Sequence, residues 1–192
     1  MKDYLQNYIQ EQRKALESIP VDEVEKLITT FRKALKENRQ IFVFGNGGSA
    51  CNASHFVTDL GKSSSDKTYR RFRCLSLNDN VSWITAIGND YAYEDVFLRQ
   101  LENYARPNDI VMTLSVSGSS PNIVKAVEWC RQYDVYTIAL VGGKKGKVAP
   151  LADHVITIDD THYGRVEDCQ MHICHMICYG FIEREDLQQP EY

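Results

Sequence analysis

The sequence has no apolar run approaching the roughly 18 residues that a membrane-spanning helix needs. Its start, MKDYLQNYIQEQRKALESIP, is charged throughout and lacks the apolar centre of a secretory signal. Basic residues are not in excess: 22 Lys and Arg stand against 26 Asp and Glu, a formal net charge of -4. That leaves no electrostatic footprint for nucleic acid. The six cysteines, Cys51, Cys74, Cys130, Cys169, Cys174 and Cys178, include no CxxC pair. Most lie among apolar residues, and Cys174 and Cys178 stand one helical turn apart, a poor arrangement for a disulfide. They read as reduced core residues. Internal repeats and low-complexity linkers are missing, as are GxGxxG and the GK[ST] of a P-loop. The expectation is a cytoplasmic protein that engages neither membrane nor nucleic acid.

What is present suits a soluble globular domain. Hydrophobic residues make up 43% and charged residues 25%. A chain of 192 residues can bury a sizeable core as one domain. In residues 1–18, Tyr4, Leu5, Tyr8, Ile9 and Leu16 recur at helical spacing until Pro20 breaks the pattern. A second amphipathic helix follows, with Val24, Leu27, Ile28, Phe31 and Leu35 on one face. Its acids come early and its bases late, as the helix dipole favours. From Ile41 onward short, continuous apolar runs take over: IFVFG, RCLSL (73–77), DIVMTLS (109–115), VYTIALVG (135–142) and HVITID (154–159). Such runs suit strands buried on both faces. Helical patterns separate them at 49–60, 80–88, 94–104, 121–133 and 165–184. Strands alternating with helices predict crossover connections. The expected fold is α/β, a three-layer sandwich around a five-stranded parallel sheet. One domain covers 1–192, a helical pair (1–38) leading into an α/β core (39–192). GKSSSDKTYRR (61–71) reads as a mobile loop and GGKKGK (142–147) as a second turn.

In open parallel sheets ligands bind beyond the carboxyl ends of the strands, so residues directly after strands carry the interest. After the first strand comes GNGGS, Gly45–Ser49. Glycines let backbone N–H groups approach a ligand, Ser49 can cap the helix that follows, and a helix N-terminus favours an anion. A plain tight turn would use the same glycines. After the third strand, SVSGSSPNIVKA sets Ser115, Ser117, Ser119 and Ser120 around Gly118, with Pro121 in the first helical turn. One cap needs one serine, and four make a neutral cradle for phosphate. In GNDYAYED (88–95), Asn89 and Asp90 suit sugar hydroxyls or, equally, a turn.

FGNGGSACNASHF, AIGNDYAYED, SVSGSSPNIVKA and RVEDCQMHICHMI together resemble a sugar isomerase (SIS) domain of the phosphoheptose isomerase type. The resemblance covers nearly the whole chain. It implies a flavodoxin-like fold and a cytoplasmic homotetramer with sites at subunit interfaces. The implied reaction is conversion of sedoheptulose 7-phosphate into D-glycero-D-manno-heptose 7-phosphate. Phosphate binding is implied for Ser115, Ser117 and Ser120, and further ligand contacts for Asn46, Gly47, Gly48, Ser49, Asn89 and Asp90. A zinc ion is implied among His55, Asp59, Glu167 and His175. Two of these depart from the family pattern: Asp59 stands where the family has its glutamate base, and Glu167 where it has glutamine. For the family's arginine near the end of the first core helix, this chain offers Lys62 at best.

Aldose–ketose isomerisation moves a proton between C1 and C2 through an enediol. It needs a general base and either an acid or a metal to stabilise the developing oxyanion. Asp59 and His175 supply a carboxylate and an imidazole, with Glu167 as an alternative base. Asp59 reaches about 1.5 Å less than a glutamate would, one carbon–carbon bond. His55 and Asp59, at i and i+4, share a helix face and can grip a divalent metal, zinc first and then manganese, iron or nickel. Glu167 and His175, eight apart, lie on roughly one side of the last helix. His172 competes with His175, and His162 and Tyr163 border the start of that helix. Taken singly, each histidine is more ordinarily packed and each carboxylate solvated. The alternatives are another sugar phosphate or a non-catalytic phosphosugar-binding protein, and the retained His55 and His175 argue against the latter.

Overall fold

The computed structural model describes residues 1–190, so the last two positions of the expected domain lie outside the described residues. The five apolar runs form β1 (Gln40–Gly45), β2 (Arg73–Ser76), β3 (Ile110–Ser115), β4 (Tyr136–Gly142) and β5 (His154–Ile158). All pairs are parallel, in the order β2-β1-β3-β4-β5. One line of the register crosses the sheet from Ser76 through Val43, Met112 and Ile138 to His154. The helices are α1 (Lys2–Glu17), α2 (Val21–Glu37), α3 (Gly48–Thr58), α4 (Val81–Asp90), α5 (Leu98–Tyr104), α6 (Pro121–Gln132), α7 (Tyr163–Glu183) and α8 (Glu185–Gln188). None among the described residues is long and apolar enough to cross a membrane.

Side chains alternate across the sheet with period two. Ile41 and Val43 join one buried cluster with Leu27 and Phe31 of α2, Phe56 of α3 and Ile173 of α7. Phe42 and Phe44 join another with Ile87 of α4, Leu101 of α5 and Ile123 of α6. This is the expected three-layer sandwich. The two leading helices differ in kind. α2 buries five residues in the sheet's own cluster, and its Phe31 ring lies 5.9 Å from that of Phe56. α1 buries only Ala15, and Tyr4, Leu5 and Ile9 stand more than half exposed.

The first part of the segment at 61–71 is helical where its composition predicts a loop, and the rest is turns and bends. α3 runs directly into a π-helical turn, Asp59–Ser64. Its serines add side-chain bonds to the backbone. Ser64 donates to the Cys178 carbonyl of α7 at 3.1 Å, and Ser65 donates to the Leu60 carbonyl at 2.9 Å. Both serines are buried. The cysteines are free, as expected. Four are buried, and burial pushes Cys130 and Cys178 up to about 12, leaving them inert at neutral pH.

His154 opens β5 and joins the sheet's edge to α2. It is 7% exposed, with Nε2 3.2 Å from Glu23 Oε2. Burial pushes its imidazole below the ordinary value of 6.5. The Glu23 carboxylate works against this shift and the Lys26 ammonium adds to it. Just below that pH the unfolded chain binds the proton more readily than the folded one, so stability falls as the pH drops through that window. His154→Gln is expected to flatten this acid limb. The check is the urea midpoint of both proteins between about pH 7 and pH 5. Parallel slopes would refute the assignment.

Candidate active site

Strands β2 and β3 lie on opposite sides of β1, so the chain changes direction between β1 and β3. The crevice of such a sheet opens beyond the carboxyl ends of those two strands. The glycine turn follows β1 and the serine loop follows β3, so the two candidate loops face one crevice.

In the glycine turn, Gly45 is tied on both sides to the Asn78 amide, donating to Oδ1 at 3.1 Å and accepting from Nδ2 at 2.9 Å. Gly47 takes φ 57°, where a side chain would be strained. Ser49 does not cap α3. Its buried hydroxyl donates to Gln170 Oε1 at 3.1 Å, and Gln170 Nε2 donates to the Leu140 carbonyl at 3.1 Å. The Glu167 carboxylate lies against the first turn of α3, beside Gly48. A Cβ on Gly48 would lie 2.6 Å from the Glu167 carboxyl carbon, so a side chain there would push the carboxylate aside. Burial pushes Glu167 above the ordinary carboxylate range, and the Ser49 N–H works against that shift.

The Asn46 amide makes two reciprocal bonds with Asn122 in the first turn of α6, each 2.9 Å. They lock the glycine turn to the far side of the serine loop. Asn122 is buried, and nothing in the sequence marked it out: a lone asparagine after a proline has no pattern. Asn89 and Asp90 end α4, exposed, with Asn89 Nδ2 donating to Asp90 Oδ1 at 2.8 Å. The residue from that stretch that reaches the glycine turn is Tyr93, whose hydroxyl donates to Asn46 Oδ1 at 3.3 Å.

In the serine loop, Ser115 Oγ accepts the Gly118 N–H at 3.1 Å and Ser117 Oγ accepts the Ser119 N–H at 3.3 Å. Both hydroxyl protons stay free to donate. Ser120 stands at the N-cap of α6 without capping it. Gly118 takes φ 59°.

Farther along α3, His55, Asp59 and His175 meet. Asp59 Oδ2 lies 3.3 Å from His55 Nε2 and 3.6 Å from His175 Nε2. The two imidazoles stand edge to face, centroids 5.2 Å apart. One ligand atom from each of the three residues lies within 4.8 Å of the others. Two imidazole nitrogens and a carboxylate oxygen are the donor set of catalytic zinc sites that keep a fourth position open, so these residues fit a zinc ion. Glu167, expected as a fourth ligand, is not in the group and lies instead beside Gly48 at the start of α3. His172 is exposed and outside the group, whereas His175 lies within it. His162 caps α7 by accepting the Arg165 N–H and packs on Tyr8, ring centroids 5.7 Å apart. Lys62 is exposed on the π turn. A separate groove of about 570 Å³, lined by Lys33, Glu37, Arg39 and Arg131 among others, lies at the opposite ends of the strands.

Residues 3–142 match the SIS domain family. A relative from Thermoplasma volcanium is 37% identical over 91% of this chain and 88% of its own length. The phosphoheptose isomerase of Akkermansia muciniphila is 35% identical over 96% of this chain and 98% of its own. The solved phosphoheptose isomerase of Neisseria gonorrhoeae superposes with a TM-score of 0.86 at 26% identity, covering 94% of this chain and 97% of that one. The chain belongs to the SIS domain family, in the branch of the phosphoheptose isomerases.

Proposed function

We propose that this protein is an aldose–ketose isomerase that converts sedoheptulose 7-phosphate into D-glycero-D-manno-heptose 7-phosphate. The observation that carries the reading is a single carboxylate oxygen, Asp59 Oδ2, set between two imidazoles and downstream of the two ligand loops. The phosphate would sit against the free hydroxyls of Ser115, Ser117 and Ser120 and the N-terminus of α6. The reacting carbons would then lie over His55, Asp59 and His175.

Because Oδ2 faces both imidazoles, Oδ1 of Asp59 is the oxygen left to take the carbon-bound proton. In the metal-free site His175 would deliver and remove protons at the sugar oxygens, with the enediol formed between the two transfers. His55, Asp59 and His175 would hold zinc. When bound, the ion supplies a Lewis acid for the oxyanion that develops on the substrate. Glu167 keeps the glycine turn in place. The exposed apolar residues of α1, Tyr4, Leu5 and Ile9, support a homotetramer packed through that helix, with sites at subunit interfaces. A cytoplasmic setting agrees with the reduced thiols.

The test is incubation of purified, metal-analysed protein with sedoheptulose 7-phosphate, following the aldose product by NMR. Appearance of the aldose supports the reading. Binding without turnover would sink it and leave a phosphosugar-binding protein.

A further inference from the structure

We propose that Tyr93 is a specificity-determining residue, a fixed aromatic wall of the crevice that packs against the carbon chain of the sugar phosphate; the inference rests on the phosphosugar reading above. Tyr93 belongs to a 3₁₀ turn, Tyr93–Asp95. Its side of the crevice is unusual in being both exposed and pinned. The residue is 61% exposed, yet its hydroxyl is bonded to Asn46. Asn46 is bonded twice to Asn122, so the turn after β1, the start of α6 and the 3₁₀ turn meet at one polar junction. The 3₁₀ turn itself is clamped from α6: Lys125 Nζ lies 3.0 Å from Glu94 Oε1 and 2.7 Å from Asp95 Oδ1.

Fixing an exposed ring costs side-chain entropy and leaves its apolar face in water. A ring so placed gains by covering a ligand. Ligand sites join apolar, often aromatic, walls to a few placed polar groups, and here the polar groups are the two loops. A sugar chain has C–H faces as well as hydroxyls, and a tyrosine has an apolar body with a polar tip, so the two match. The phosphate is excluded as Tyr93's partner, because the ring's face is electron-rich and the serine hydroxyls already suit an anion.

The experiment measures binding by calorimetry to the full chain and its Tyr93→Phe and Tyr93→Ala variants. The ligands are sedoheptulose 7-phosphate, fructose 6-phosphate and inorganic phosphate, and light scattering gives each protein's mass. Tyr93→Ala is expected to weaken the seven-carbon ligand about fivefold to tenfold, the six-carbon ligand less, and phosphate by under about twofold. Tyr93→Phe keeps the ring and most of the affinity. Equal losses for all three ligands would mean that Tyr93 only braces the loops, and no loss would mean an idle ring. A changed mass would mean a subunit contact. Each of these outcomes overturns the proposal. Wild-type binding of sugar phosphates without turnover would defeat the isomerase and leave the Tyr93 result standing. If the wild type binds no sugar phosphate more tightly than phosphate, both fail.

Discussion

Asp59→Asn is expected to lower kcat by about two to four orders of magnitude, the usual worth of a positioned general base. Asparagine keeps the shape of the side chain and removes the basic oxygen. It also removes the negative ligand between His55 and His175, so zinc content after dialysis should fall with it. His175→Ala should lose turnover to a similar extent while sugar-phosphate binding, measured by calorimetry, stays near the wild-type level, because the serine loop is untouched. Glu167→Gln is the informative contrast. Its carboxylate lies against Gly48, outside the three-residue group. Turnover should therefore survive that substitution within several-fold, since no proton transfer passes through Glu167. A dead Glu167→Gln beside an active Asp59→Asn would reverse the roles of the two carboxylates.

The contrast between these carboxylates also marks where the sequence stops being informative. The central strands β1, β3 and β4 could be read directly, because an apolar run buried on both faces has a local signature. The edge strand β2, expected to be buried likewise, leaves Arg73 and Leu75 exposed. His55 and Asp59 could be paired from their spacing alone, since i and i+4 share a helix face. What Glu167 does depends on an α3 N-terminus more than a hundred residues away, and no local pattern encodes that. Ser49 failed as a predicted cap for the same reason: Gln170, buried between α3 and β4, takes its hydroxyl. The π turn at Asp59–Ser64 is the clearest case. GKSSSDK has the composition of a loop, yet the Cys178 carbonyl of α7 gives Ser64 a partner, and Ser64 and Ser65 are buried while Lys62, Asp66 and Lys67 stay exposed. The Asn46–Asn122 pair closes across 76 residues and was equally invisible. Elements follow from local periodicity, whereas the second layer of the site is made of long-range polar bonds between single residues.

Those bonds give the second large prediction its sharpness. Gly118→Ala is expected to destabilise the protein by about 2 kcal/mol or more, a melting-point loss of roughly 4–8 °C for a chain of this size. Two costs add. A side chain at φ 59° is strained by about 1–2 kcal/mol. The new Cβ would also strike the backbone of the facing turn, 2.8 Å from the Lys145 carbonyl carbon and closer still to its oxygen. Backbone cannot rotate aside as a side chain can. The serine loop must move, which also loosens the Ser115 Oγ bond to the Gly118 N–H and the Val148 N–H bond to the Gly118 carbonyl. Phosphate affinity should fall with stability, by about tenfold or more if two hydroxyl contacts are lost. Gly47→Ala separates the terms. Gly47 has nearly the same backbone angle, φ 57°, but nothing lies within 4 Å of its Cβ position. It should show the strain alone, about 1–2 kcal/mol, with the serine loop and its phosphate affinity intact. Equal losses in the two variants, by thermal melts and phosphate calorimetry, would mean that the packing of the serine loop on the 142–148 turn contributes nothing. Phosphate binding would then have to be assigned to groups other than the serine hydroxyls.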